Sequence, residues 1–256
     1  MHKVRLPLAI LSIVAAVVVL LTGFWNEVAT SIFPDSTWGL YSREFFENVL
    51  VEAHGTLLDL LVVGVVLFWF ERRRERAESI EEQKTTLADL RYYRGNDASY
   101  RVFGTVKRLQ SYGISALPLA EAMLNDLEIT EIQFYESDLR ATNFANSKLK
   151  ACTFEDCRAE AAIFVGARFN HITLKNVSLR RAKFNNAVLK GIDFSECQIE
   201  GVDFTNADLS SAIFRGVDCK NVKFQNANLR SANFKGALNL TQAMLNSASN
   251  TQYIKR

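Results

Sequence analysis

The chain has 256 residues, with 30 lysines and arginines against 28 aspartates and glutamates, so its formal charge is +2. That near balance excludes the one-signed field expected of a protein that works on nucleic acid or on acidic substrates. Four cysteines without a C-x-x-C pair, and three scattered histidines (His2, His54, His171), supply neither a zinc site nor a redox motif, so no metal and no cofactor is expected. The length suits one or two domains.

Mean hydropathy is close to zero, but the first seventy residues are far more apolar than the rest. Leu6–Trp25 is a run without a charge, close to the roughly 20 residues that span the hydrocarbon core of a bilayer. Lys3 and Arg5 precede it as they would a signal peptide, yet the run is longer than such an apolar region and no A-x-A site follows, so a retained helix is expected. The second apolar run ends sharply in "FWFERRRER". Its purely apolar part, Leu57–Phe70, is too short to cross a bilayer, so the span is expected from about Val51 to Phe70. Glu52, His54 and Asp59 then lie within the membrane or at its edge and are candidate functional residues. Arg72, Arg73, Arg74 and Arg76 place that end in the cytoplasm, and Lys3 with Arg5 does the same for the first span. The expected result is a transmembrane hairpin over residues 1–70, with both termini inside and a loop from about Asn26 to Asn48 on the far side.

Residues 71–113 read as a helical linker. "ERRRERAESIEEQKTTLADLRYY" has neither proline nor glycine, and its apolar residues (Ala77, Ile80, Leu87, Leu90) are sparse, which predicts a solvated extension of the second span. A separate short helix follows, with Asn96 or Asp97 as its cap, one face of Val102, Phe103, Val106 and Leu109, and Gly113 as its stop.

From about Ile114 a period of five takes over. Every fifth residue from Phe134 to Phe234 is apolar, and the residue two before each is always Ala, Ser, Thr, Cys, Val or Ile. Leu119, Leu124 and Ile129 extend the phase backwards. Five fits neither a helix nor a strand. It fits a chain that turns a corner every five residues, with one large and one small residue pointing inwards from each side. "NADLS", "NANLR" and "SANFK" resemble the A-(D/N)-L-x-x consensus of the pentapeptide-repeat family. The resemblance covers about half the chain and implies an all-β solenoid, a right-handed quadrilateral β-helix over residues 114–240. With strand spacing it has roughly six coils and a length of about 29 Å. A C-terminal cap and a frayed tail are expected over 241–256.

This reading absorbs stretches that look like chemistry. In "GIDFSECQIEGVDFTNADLS" (Gly191–Ser210) the large and small inward sets are filled by apolar residues and a cysteine, and the acidic residues take outward positions where any polar residue would serve. All four cysteines fall on inward positions and read as small hydrophobes. Ala159 and Phe169 break the alternation of leucine and phenylalanine in opposite senses half a coil apart. Phe169 is therefore expected to fill the space that Ala159 leaves, and Phe169→Leu to cost more than Leu189→Phe gains.

Outward columns join residues twenty apart. Arg140, Glu160, Arg180, Glu200 and Lys220 alternate in sign and predict a charge ladder; Lys150, Asn170, Lys190, Ser210 and Arg230 form a basic neighbour. Glu121–Asp138 carries six acidic residues and no basic one, whereas Arg140–Lys190 carries ten basic against three acidic. Arg140, Lys150, Arg180, Arg181 and Lys190 are thus the candidate interaction surface.

No nucleophile–base pair, phosphate loop or ligand cluster is present, so no enzyme, nucleic-acid partner or small-molecule substrate is expected. The expected function is a non-enzymatic, membrane-anchored scaffold or effector of the bacterial inner membrane, with its β-helix in the cytoplasm and with the lipid bilayer, a protein or a second copy of itself as partner. An alternative is an oligomeric membrane-perturbing effector, of pore or defence type, that uses Asp59 and His54. On that alternative Asp59 meets either the Ser12–Ala16 face of the first span or a neighbouring chain. The resemblance also implies a third reading, a DNA-mimicking binder of type II topoisomerases. That mode needs an acidic rod, and Ser115–Leu240 holds fifteen residues of each sign.

Overall fold

The computed structural model describes residues 2–32, 43–95 and 97–256. The chain divides into two compact units, Met1–Ala77 and Glu78–Arg256.

The first unit is helical: α1 (His2–Gly23), α2 (Trp25–Ile32) and the first part of α3 (Arg43–Leu90). The chain bends by 77° between Leu11–Gly23 and Trp25–Ser31. The side chains of Lys3 and Arg5, and residues 33–42 of the expected far-side loop, lie outside the described residues. α3 begins at Arg43, eight residues before the expected start of the second span. Its added turns mix polar and apolar residues and are tied down: Trp25 Nε1 and Arg43 Nε both donate to Glu47 Oε1, at 3.0 and 2.9 Å. α3 is long and apolar enough to cross a membrane, and α1–α2 passes the same test if the bent pair counts as one span.

The second unit begins with the last turns of α3. They are not a solvated extension. Leu87 is fully buried, and Ile80 and Leu90 pack on the same apolar cluster as Val102, Val106 and Leu109 of α4 (Ala98–Ser111) and Leu117 and Leu119 of the first coil. Arg91 holds Glu121 of that coil at 2.9 Å. Asn96 lies outside the described residues. Asp97 occupies the N-cap position of α4 without capping it, because its carboxylate instead accepts from Tyr93 Oη at 2.7 Å and Arg101 Nε at 2.6 Å.

The rest of the unit is a β-solenoid. Its strands are β1 (Glu128–Thr130), β2 (Gln133–Tyr135), β3 (Lys148–Lys150), β4 (Thr153–Glu155), β5 (Arg168–Asn170), β6 (Thr173–Lys175), β7 (Val177–Ser178) and β8 (Cys197–Gln198). They pair in parallel as β1-β3-β5, β2-β4-β6 and β7-β8, always twenty residues apart, as in Ile129↔Leu149↔Phe169. Strand-paired solenoid covers about four turns rather than the six coils expected. Beyond Gln198 the same separation continues only as single bridges, to Asp218↔Leu238, because turns occupy the residues between them.

Each coil has four sides, named here for their inward residues Phe134, Leu139, Phe144 and Leu149. Phenylalanines stack along the Phe144 side without a break: Phe144, Phe164, Phe184, Phe204 and Phe224 lie 5.0, 4.8, 5.3 and 5.8 Å apart. The small inward set is buried too. Where it carries a hydroxyl the group donates to a backbone carbonyl of the coil before, as Thr142 Oγ1 does to Leu119 at 2.7 Å and Ser147 Oγ to Leu124 at 2.6 Å.

One place breaks this order. Among the described residues no bridge joins Thr173 to Asp193 or Gln198 to Asp218, and the N–H groups of His171, Asn176 and Glu196 do not reach the carbonyl nineteen residues on, as most corner amides do. The small column on this side reads Ile132, Cys152, Ile172, Ile192, Ala212, Ala232, and only here do two isoleucines stack. Two such side chains about 4.8 Å apart overfill a position built for one. Ile172 and Leu174 end half-buried, and the Phe134 stack is interrupted at Leu174.

The tail is paired rather than frayed. α5 (Gln242–Asn246) starts at Thr241, whose Oγ1 accepts from Met244 N–H at 3.2 Å. It shifts the register by two residues, so Asn250 and Lys255 bridge to Asn228 and Asn233.

Ala159 and Phe169 do compensate. Both line one small apolar cavity of about 10 Å³, with Leu174 and Phe194 at its other edge, and Phe169 packs on Phe164 and Phe184 at 5.4 and 5.9 Å. So little space cannot hold a leucine. Ala159→Leu alone should cost about 1–3 kcal/mol by overpacking, and Phe169→Leu alone about 1–2 kcal/mol. The double variant should recover most of the loss. Denaturation midpoints of the four proteins test this; a Phe169→Leu variant as stable as the native chain would overturn it.

All four cysteines are free and buried. Burial pushes the Cys197 and Cys219 thiols up to about 12, and those of Cys152 and Cys157 upward as well. Below the ordinary thiol value near 9 both the folded and unfolded chains keep these protons, and pH has no leverage through them. Above it the unfolded chain ionises first, so stability falls as pH rises from about 9 towards 12. The native chain should therefore lose stability more steeply over that range than Cys197→Ala/Cys219→Ala. At pH 8 a thiol reagent should label none of the four until the protein unfolds.

Candidate interaction surface

Every corner of the coil needs a left-handed residue. From Glu121 to Gly236 each fifth residue has φ between 47° and 71°, with Glu196, above the unpaired segment, as the exception. Most are not glycine, so they hold a conformation that costs about 1–2 kcal/mol in isolation. The cost is offset because the corner N–H donates to the next coil, as Arg181 N–H does to the Glu200 carbonyl at 2.9 Å. Corner side chains are thereby fixed in direction and stack in straight columns. The outer surface is a rigid lattice of such columns.

The structure distributes the basic candidates unevenly. Arg140 is engaged by Asp138, with Nε at 2.8 Å and Nη2 at 2.7 Å from the two carboxylate oxygens, and Arg158 reaches the same carboxylate at 3.2 Å. The Arg140 hydrogen bond holds the Asp138 carboxyl below its ordinary value. Lys190 lies 3.3 Å from Asp208. Lys150 is exposed on β3. Arg180 and Arg181 are exposed, and among the described residues neither makes an ion pair or a side-chain hydrogen bond.

The alternating column is thus not the continuous ladder expected. Only Lys220–Glu200, at 3.1 Å, closes within it. Asp138 has captured Arg140, and Glu160 turns one oxygen, Oε2, into the protein without a partner. Arg180 and Arg181 line an open groove of about 580 Å³ with Glu160, Glu200 and Lys223. Gly201 shapes it: a Cβ there would meet Arg181 Cγ at 3.4 Å.

An acidic corner stands on the other edge of the Leu139 side. Glu136 and Asp156 occupy successive left-handed corners, with exposed Tyr135 and half-buried Glu155, which pairs with Lys175 at 3.7 Å, beside them. Glu136, with burial and the Asp156 and Glu155 charges adding to it, raises the Tyr135 phenol above its ordinary value. The count of acidic residues before Asp138 marked the region; only the twenty-residue stacking shows that Asp156 and Glu155 join it.

Glu52, His54 and Asp59 all lie on α3. Glu52 and Asp59 are exposed, and His54 is half-buried with Nδ1 2.7 Å from the Leu50 carbonyl. Among the described residues Asp59 has no hydrogen-bond or ionic partner, and Ser12 and Ala16 are exposed. No group of three or more metal-ligating side chains occurs among the described residues.

Comparison with known proteins bears on the solenoid. Residues 127–204 match the family model for the pentapeptide repeat region, and residues 212–249 that for pentapeptide repeats in eight copies. No curated protein matches the chain. Among solved structures, a trypsin-treated variant of QnrB1, a plasmid-mediated fluoroquinolone resistance protein, is 22% identical over 52% of this chain, with a TM-score of 0.34; the match spans 63% of that protein. A pentapeptide repeat protein of the Arabidopsis thaliana thylakoid lumen is 23% identical over 49% of this chain and 70% of its own, with a TM-score of 0.31. HetL, a pentapeptide repeat protein involved in heterocyst differentiation regulation in the cyanobacterium Nostoc, is 17% identical over 59% of this chain and 93% of its own, with a TM-score of 0.28. The coil that begins beyond α4 is therefore a pentapeptide-repeat domain.

Proposed function

We propose that the chain is a non-enzymatic, membrane-anchored pentapeptide-repeat protein whose β-helix is a protein-docking module on the cytoplasmic side of a bacterial inner membrane. One observation carries the anchoring. Every residue of α3 from Leu58 to Phe70 is exposed, on all sides of the helix. Leu58, Leu61, Val65 and Phe70 stand at 65%, 53%, 60% and 59% exposure. A helix that is apolar all round needs an apolar surrounding, and a lipid bilayer supplies it. Trp69 at the end of this sleeve and Arg72–Arg76 just beyond it suit an interfacial belt and a cytoplasmic flank. A rigid lattice of outward side chains with equal numbers of each charge supports docking to protein rather than the mimicry of DNA.

The full chain should stay with membranes after an alkaline wash. Val62→Asp/Val66→Asp places two carboxylates near the middle of the sleeve, each costing about 2.5–3.5 kcal/mol, and should not insert. Because the native cysteines are buried, single cysteines report topology cleanly. Glu27→Cys should react with an impermeant maleimide in intact cells, and Lys235→Cys only after permeabilisation. A wild-type chain recovered in the soluble fraction would end this reading.

The alternative, an oligomeric effector of the membrane, draws on Asp59, which stands exposed within the sleeve and has no partner among the described residues. If it serves such an activity, expression of the chain should depolarise cells, and both Asp59→Asn and Asp59→Leu should abolish the effect. Full activity in Asp59→Asn would leave Asp59 as a polar contact only.

A further inference from the structure

The Leu139 side of the β-helix is bounded by two corners of opposite charge. On one edge Glu136 and Asp156 project from left-handed positions, with Tyr135 exposed at 43% and Glu155 beside it. On the other edge, one to two coils further along, lie Arg180 and Arg181 in their open groove. Between them Asp138 engages both Arg140 and Arg158, while Glu160 borders the groove without an ion pair and Glu200 is held by Lys220. Glu155 pairs with Lys175 at 3.7 Å, and Asp156 accepts from Asn176 at 2.7 Å. Among the described residues Glu136 and Asp156 thus carry the corner's charge without a cation, as Arg180 and Arg181 carry theirs without an anion, and the two clusters sit at diagonal positions on one side of the coil. Each fits the other in sign, and neither can reach the other within one molecule because both are held by the backbone lattice.

We infer that this side is a homotypic docking surface whose occupant is a second copy of the chain, with the Tyr135–Glu136–Asp156 corner of each copy seated against the Arg180–Arg181 groove of the other. Reciprocal contact through one patch is the rule for two-fold dimers, and two clusters on a single side permit it. Tyr135 supplies the rigid aromatic surface that anchors interfaces. The two arginines supply planar donors suited to carboxylates. Confinement to a membrane, which rests on the anchoring proposed above, would raise the effective concentration of the two copies.

The test is the mass of the full-length protein in detergent at low and high salt. At about 0.02 M salt the wild-type chain should be a dimer, and it should dissociate towards 1 M, where charges are screened beyond about 3 Å. Arg180→Glu/Arg181→Glu should weaken association at least tenfold, and Glu136→Arg/Asp156→Arg should do the same. All of these changes are on exposed side chains, and circular dichroism checks that the coil is retained. An equimolar mixture of the two double variants should regain the dimer, because each reversed cluster then faces its opposite. A wild-type chain that is monomeric at low salt, a variant that associates as well as wild type, or a mixture that stays monomeric would each overturn the inference. None of these outcomes touches the membrane reading, which fails separately if the chain fractionates as a soluble protein.

Discussion

Parallel backbone pairing at a separation of twenty residues is the constraint on which the second unit is built. It requires a corner every fifth residue, and the corner requires a left-handed φ that asparagine, aspartate and glycine accept readily but that Arg181 and His171 also adopt. No single side chain could hold so many strained positions. The lattice holds them together, because most corner amides donate to the coil above. The inward positions then have little choice: with sides only five residues long, one large and one small apolar residue fill the interior, and a polar group survives there only where a carbonyl of the previous coil accepts its proton, as for Thr142 and Ser147.

The same constraint explains why the weak point lies where it does. A lattice that repeats every twenty residues stacks like on like, so an oversized residue is harmless until its neighbour in the column is oversized too. Ile132 lies next to Cys152, and the column stays paired. Ile172 lies next to Ile192, and the pairing opens on either side of Leu174. Ala159 and Phe169 are the opposite case: a deficit on one wall is met by an excess on the facing wall, and only about 10 Å³ is left over. Compensation works across a coil, where side chains can interdigitate, and fails along a column, where backbone spacing is fixed by hydrogen bonds.

The division between what was legible in the sequence and what was not follows from this geometry. The inward set was readable residue by residue because the period of five leaves no freedom in it. The outward set was readable as columns but not as contacts. Stacked opposite charges at Arg140, Glu160 and Arg180 suggested a ladder, yet Arg140 finds Asp138 two residues back on its own strand, which a twenty-residue rule does not contain. The burial of Leu87 was hidden for a different reason. Three sparse apolar residues on a charged helix carry almost no periodic signal, and what buries them is the open end of the first coil, a surface that exists only once the coil has closed. The first turns of α3 were missed because hydropathy marks where lipid ends and not where a helix ends; Trp25 and Arg43 clamp Glu47 beyond the expected span.

Charge neutrality acquires a particular meaning on such a scaffold. On a mobile surface, fifteen acidic and fifteen basic side chains would pair by reorientation and leave little net field. Here the columns fix where each side chain starts, so charges meet only if they lie on the same column, on neighbouring coils, or within two residues on one side. Asp138 pairs twice in this way, whereas Arg180 pairs with neither Glu160 nor Glu200, which flank it in its column, and Arg181 has no carboxylate on the neighbouring coils of its own column. A rigid, neutral rod can therefore present local clusters of either sign that it cannot cancel itself. Those clusters, rather than the overall charge, determine what the surface can hold.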